Sequence, residues 1–242
     1  MSKISLFYFF LYPYSNNFVL CINEWTVTFK DTIHKKQMTA KIKEKGIYCI
    51  EGLWDHGNIQ DQSTVLPILD LLEKRGYCNY LFRDCATKSE LEFFLDKWKH
   101  RTINEKYPIL YLAFHGDPGY IFLTHKDKYS LEELADFLGD KCTGKIIYFG
   151  SCSTLNINKR RINSFLKKTG AIATIGYKRE IDWIQSAACD LFVFEALQSD
   201  KLDTKGIKKI YKKIISDYGN LHKILDLRFV INDHLHFNRQ RK

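Results

Sequence analysis

An α/β three-layer sandwich, with a mostly parallel central sheet and helices on both faces, is the fold class this sequence predicts. Three observations carry it. Short, β-rich apolar runs alternate with segments of helical apolar spacing from Gly46 onward. The 242 residues suffice for one substantial core, and the alternation occupies most of them. A composition of 45% hydrophobic and 27% charged residues is that of an ordinary globular protein, so neither disorder nor a membrane class is indicated.

The elements follow in order. Ile47 to Ile50 reads as a buried strand that ends in Glu51-Gly52-Leu53-Trp54-Asp55. Ser63 is placed to cap a helix carrying Val65, Leu66, Leu69 and Leu72, which Gly76 closes. Tyr80 to Phe82 forms the next strand, and Ser89 is placed to cap a helix with Leu91, Phe94, Leu95 and Trp98 on one face. Pro108 precedes the strongest strand, Ile109 to Phe114, which stops at His115-Gly116. Gly119 to Leu123 suits a short extra strand or hairpin, and Ser130 heads a helix through Leu131, Leu134 and Leu138. A strand from Lys145 to Phe149 ends in Gly150-Ser151-Cys152-Ser153. A helix over Asn163 to Lys168 stops at Gly170, a strand runs from Ala171 to Tyr177, and Trp183 to Leu197 is helical. A basic helix follows Asp203-Thr204. The expected organisation is therefore an aromatic arm over residues 1–44, the α/β domain over 45–200, and a basic helical segment over 201–242 that packs on the same domain.

Seven cysteines are scattered without a CxxC pair, which argues against a zinc module or a disulfide framework and makes a reducing cytosol the expected location. Of the net charge of +9, residues 201–242 hold +7, from eleven Lys or Arg and four Asp. Lys208, Lys209, Lys212 and Lys213 recur at helical spacing between isoleucines, the pattern of a solvated basic face. No base-reading motif accompanies the charge, so no specific nucleic-acid partner is expected.

The apolar run Ile4 to Tyr14 is broken by Pro13 and by Ser15-Asn16-Asn17, so no transmembrane segment is expected there, and no signal-peptide cleavage site follows it. Met38 is a candidate translation start, which would leave residues 1–37 as an artefact of the gene model; the alternative is a genuine aromatic arm.

The chemistry concentrates at two strand ends. A cysteine attacks a carbonyl as its thiolate and needs an imidazole to take the proton and later deliver one to the leaving amine. The order strand-His115-Gly116, crossover, strand-Gly150-Ser151-Cys152 puts both groups beyond the carboxyl ends of the strands, where ligands of such sheets gather. Glu51 and Asp55 fall on the same rim. Thirty-seven positions separate His115 from Cys152, room for one hairpin and one crossover helix. Gly116 leaves space for a substrate backbone and can offer its N–H to a developing oxyanion, with the Cys152 N–H as second donor.

The blocks Leu110 to Gly116 and Ile146 to Cys152 resemble the caspase-like cysteine peptidases, the group of caspases, metacaspases, separases and CHAT proteins. In architecture the resemblance covers residues 45 to 200. The Glu51 to Asp55 segment is also similar to the Glu-Gly-x-Trp-Asp start of a bacterial subgroup of unknown function. This resemblance implies a caspase-like sandwich, a His115/Cys152 dyad with no metal or cofactor, and cleavage of a protein or peptide after a selected side chain. It also implies control by dimerisation, self-cleavage or a bound signal, and service in cell-death or defence systems. The segment Gly150 to Thr154 departs from the caspase Gln-Ala-Cys-x-Gly, so aspartate specificity does not carry over. The primary pocket of this architecture would draw on Glu51, Asp55, Asp182 and Trp183; a carboxylate there would select Arg or Lys, whereas Arg179 would favour an acidic residue.

Two rival classes stand beside this reading. A cysteine-elbow enzyme of the amidotransferase or DJ-1 kind wants Gly-x-Cys-x-Gly, where Thr154 replaces the second glycine, and a later histidine such as His222, His234 or His236. A phosphatase loop needs arginine six positions after the cysteine, and Asn158 stands there. A non-catalytic binding or signalling module of the same fold is the second class.

Overall fold

The computed structural model describes residues 44–233 apart from His56, Ile59 and His125. The aromatic arm, the Met38 start, His234 and His236 lie outside the described residues.

Six strands form the central sheet. In chain order the first part runs β1 (Ile47–Glu51), α1 (Leu66–Lys74), β2 (Tyr80–Asp84), α2 (Lys88–Lys99), α3 (Arg101–Lys106) and β3 (Ile109–Ala113). A small antiparallel sheet of β4 (His115–Asp117), β5 (Tyr120–Phe122) and β6 (Lys128–Ser130) follows, then α4 (Leu131–Leu138). The chain continues through β7 (Ile146–Phe149), α5 (Lys159–Thr169), β8 (Ala173–Tyr177), α6 (Trp183–Leu197), α7 (Thr204–Ile224) and β9 (Leu227–Ile231). The strand order is β2-β1-β3-β7-β8-β9, parallel except for β9, which pairs antiparallel with β8. This is the α/β class that the alternating pattern predicts.

Period-two alternation divides the sheet between two cores. Ile47, Cys49, Ile109, Tyr111, Ile146, Tyr148, Ile175 and Tyr177 face α1, α6 and α7. Tyr48, Ile50, Leu110, Leu112, Ile147 and Phe149 face α2, α4 and α5. From β1 the chain first adds β2 on one side and then β3 on the other, so the order reverses between β1 and β3. A crevice opens at such a reversal beyond the carboxyl ends of the strands.

Several local expectations are revised. Ser63 does not cap α1: its N–H and hydroxyl both donate to Asp61 (3.1 and 2.7 Å), and the Val65 N–H is taken by the Glu51 carboxylate at 2.7 Å. A carboxylate at a helix N-terminus satisfies an orphan donor and meets the positive end of the dipole. Thr87 rather than Ser89 caps α2, because its extended backbone places its hydroxyl on the Glu90 N–H in a full capping box. Helix α5 begins at Lys159 under an Asn158 cap, well before Asn163, since its polar first turn hides the apolar period. Its last strand neighbour β8 starts at Ala173, while Ala171 only bridges to Thr143. Ser130 caps α4 and Gly170, at φ +70°, ends α5, both as expected. The polar α3 and the strand β9, hidden in the basic segment, were not expected. Ile207, Ile210 and Ile214 of α7 lie in the core, with Lys208, Lys209 and Lys212 exposed and Lys213 half-buried beside Glu195.

Among the described residues no helix is long and apolar enough to cross a membrane, six cysteines carry no disulfide, and no group of three His, Cys, Asp or Glu side chains is placed to hold a metal ion.

Candidate active site

His115 leaves the end of β3 and Cys152 follows β7, the adjacent parallel strand. Their loops interlock. The Gly150 N–H donates to the Leu112 carbonyl at 2.9 Å, and the Gly119 N–H to the Thr154 carbonyl at 3.0 Å. The Ser151 and Thr154 hydroxyls lie 2.7 Å apart, and Thr154 also donates to the Tyr120 carbonyl at 3.1 Å. Ser153 adopts φ +56°, a left-handed turn that carries the chain past the cysteine. Gly116 sits directly against this turn: a Cβ there would come within 2.2 Å of Thr154 Oγ1 and 2.5 Å of the Cys152 carbonyl oxygen. The glycine is thus required by close approach of two backbones.

His115 is exposed and its Nε2 lies 2.6 Å from the Trp54 carbonyl oxygen. A carbonyl only accepts, so Nε2 carries the hydrogen, and in the neutral ring the lone pair is on Nδ1. The Trp54 ring also meets the imidazole edge to face, with centroids 5.3 Å apart, and meets Trp183 at 4.6 Å. Glu51 holds Trp54 in place. That carboxylate is 2% exposed and accepts from Trp54 Nε1 (2.6 Å), Thr64 Oγ1 (2.5 Å) and the Val65 N–H. Burial raises its pKa, and these three donors oppose the rise.

Cys152 is partly buried, with Sγ 3.8 Å from the Ile181 carbonyl. Burial raises its pKa above the ordinary thiol value, with a smaller lowering from the Ile181 backbone and a further rise from Glu180. The resting group is therefore a thiol, not a preformed thiolate.

The sequence-level substrate residues divide between two places. Glu51 and Asp55, with Asp61 and Asp84, line a cleft of about 620 Å³ beyond β1 and β2. No Lys or Arg is among its described lining residues. Arg179 and Asp182 lie instead in the loop between β8 and α6, whose Ile181 carbonyl meets Cys152, and Trp183 is the first residue of α6. Asp182 caps α6, accepting from the Ile184 and Gln185 N–H groups, and the Arg179 carbonyl accepts from the Ser153 N–H at 3.1 Å. The aromatic pair Trp54 and Trp183 joins the two places. Asn158, where a phosphatase would need arginine, caps α5. His222 on α7 has Asp226, Lys178 and Lys223 as its charged neighbours.

Sequence reasoning missed the Trp54 and Ile181 carbonyls and the acids Asp61 and Asp84. The two carbonyls leave no side-chain signal. The two acids look like ordinary loop and strand-end charges until the fold gathers them.

No curated protein matches the chain. Among solved structures it is similar to caspase-1 from Spodoptera frugiperda, with 12% identity and a TM-score of 0.45 over 79% of this chain and 88% of that one. The model of a family of unknown function (DUF6642) matches residues 44–230, and the chain belongs to that family.

Proposed function

We propose that the protein is a cysteine endopeptidase in which Cys152 is the nucleophile and His115 the general base and acid. The single observation that carries this reading is the seating of Gly116 against Ser151, Cys152 and Thr154, which joins the histidine loop to the cysteine loop. Resemblance of the two strand-end blocks to caspase-like peptidases supports the same reaction. His115 Nδ1 takes the Sγ proton as sulfur bonds to the peptide carbonyl carbon, and the carbonyl oxygen takes the negative charge. Collapse breaks the C–N bond, with the imidazolium proton passing to the leaving amine. Water, deprotonated by the same nitrogen, then hydrolyses the thioester. The N–H groups of Gly116 and Cys152 are the proposed oxyanion donors. Trp54 orients the base through its carbonyl.

The acid-lined cleft beside Trp54 favours a basic residue before the cleaved bond, with Asp55 and Asp84 as the exposed carboxylates of that cleft and Asp182 on the cysteine side. The test is a peptide panel with Arg, Lys or Asp at that position, alongside peptidyl electrophiles of the same sequences, with modified sites mapped by mass spectrometry. Labelling of Cys152 and cleavage of the Arg or Lys peptides are expected. A preference for Asp would transfer the selecting role to Arg179, and absence of both labelling and cleavage would leave the binding-module reading.

Gly116→Ala is expected to lower kcat/KM by about 100-fold with the fold retained, since the new methyl must push the two loops apart by roughly 1 Å. Unchanged kinetics in a variant with a native circular-dichroism spectrum would remove Gly116 from the site.

A further inference from the structure

A charged group with no part in the chemistry above lies directly beneath it. Asp190, in the middle of α6, is 2% exposed within an otherwise apolar core face. Its Oδ2 accepts from Tyr111 Oη at 2.5 Å; its Oδ1 accepts from Tyr177 Oη at 2.7 Å and from Tyr148 Oη. The three tyrosines stand on β3, β7 and β8, three adjacent strands, with Tyr111 and Tyr148 paired in register. Four residues beyond Tyr111 is His115, four beyond Tyr148 is Cys152, and four beyond Tyr177 is Ile181, whose carbonyl receives the thiol. Tyr111 also forms the floor under Gly150, where a Cβ would come within 2.5 Å of its ring. One carboxylate thus ties together the three strands that present the imidazole, the thiol and the thiol's resting partner.

We propose that Asp190, in its ionised form, is a positioning residue that holds these three strand ends in the arrangement competent for attack by Cys152. The proposal rests on the peptidase reading. Protonation would replace three charge-assisted hydrogen bonds with neutral ones and oblige one tyrosine to turn from donor to acceptor. The titratable groups facing Asp190 are Tyr111, Tyr148 and Tyr177, with Cys49 from β1 and Cys189 on α6. Burial drives all five upward, so they stay neutral near pH 7, whereas burial brings the Asp190 carboxyl to about 6, against the three hydroxyl donors.

The experiment follows alkylation of Cys152 by iodoacetamide in the full chain from pH 4.5 to 9, mapped by mass spectrometry, together with peptide cleavage. A thiol acting alone gives a logarithmic rate that rises with unit slope. The wild type is expected to steepen below about pH 6 and, at pH 5, to fall about tenfold under the extrapolated line. Asp190→Asn should keep unit slope throughout. Tyr111→Phe, which removes one donor from the carboxylate, should move the break to higher pH; it carries the test if Asp190→Asn does not fold. A break at the same pH in wild type and variants overturns the proposal. Labelling with the expected break but no cleavage of any peptide would sink the peptidase reading alone, and cleavage without the break would sink the positioning role alone.

Discussion

Cys152→Ala is expected to lower kcat/KM on the best peptide by about 10⁴-fold or more, and His115→Ala by a similar factor. The two groups act on one proton, so the double variant should be hardly worse than either single one. The raised thiol pKa sharpens the expectation for histidine. A preformed thiolate would survive loss of its base; a resting thiol that donates to the Ile181 carbonyl would not. Both variants should bind substrate peptides and keep the native spectrum, because His115 is exposed and Cys152 only partly buried. Retention of activity in Cys152→Ala would end the proposal, and retention in His115→Ala would move the base to another residue.

Asp190→Ala is expected to destabilise the fold by about 3–5 kcal/mol, because truncation leaves a cavity and strips the acceptor from three buried hydroxyls. For a domain of this size that corresponds to a fall in Tm of about 10 °C. The pH dependence runs the other way from that of a salt-bridged acid. The folded-state pKa of Asp190 is raised from 3.8 to about 6, so its contribution is most favourable below pH 4 and is lost as pH rises through 6, by about 3 kcal/mol in all. Glu133, held near 2 by the Ser130 N–H and hydroxyl and by Lys88, has the opposite sign: its contribution is present above 4.5 and is lost as pH falls toward 2. Subtracting the denaturant-unfolding profile of Asp190→Asn from that of the wild type isolates the first effect. A flat difference between pH 4 and 7 would show that the carboxyl titrates normally.

The competent state proposed for Asp190 is therefore the less stable one. A buried charge is costly unless it is hydrogen-bonded, and three tyrosines reduce the cost here without removing it. This is the pattern of a site that gives up stability for geometry.

Much of the architecture was legible from local pattern. The runs at Ile47, Ile109 and Ile146 became three parallel neighbours in the sheet because strands buried on both faces are short, apolar and continuous. The Ser130 cap and the Gly170 stop were readable because each acts on residues within one turn of itself. Ser63 and Ser89 misled for the converse reason. Cap chemistry is permitted at many serines; in one loop Asp61 holds the Ser63 hydroxyl while Glu51 takes the Val65 N–H, and in the other the extended backbone of Thr87 makes it the cap. β9 was hidden because Leu227 to Ile231 sits among basic residues whose charge suggested a solvated segment.

By itself, the amino-acid sequence determined an α/β sheet with His115 and Cys152 at strand ends, since apolar periodicity and turn residues are local properties. Tertiary structure alone decided that Trp54 lends a carbonyl to His115, that Glu51 is spent on Trp54 and α1, and that Asp190 draws together Tyr111, Tyr148 and Tyr177. Every residue carries a carbonyl and any core tyrosine a hydroxyl, so which of them meet is settled only when strands far apart in the chain become neighbours.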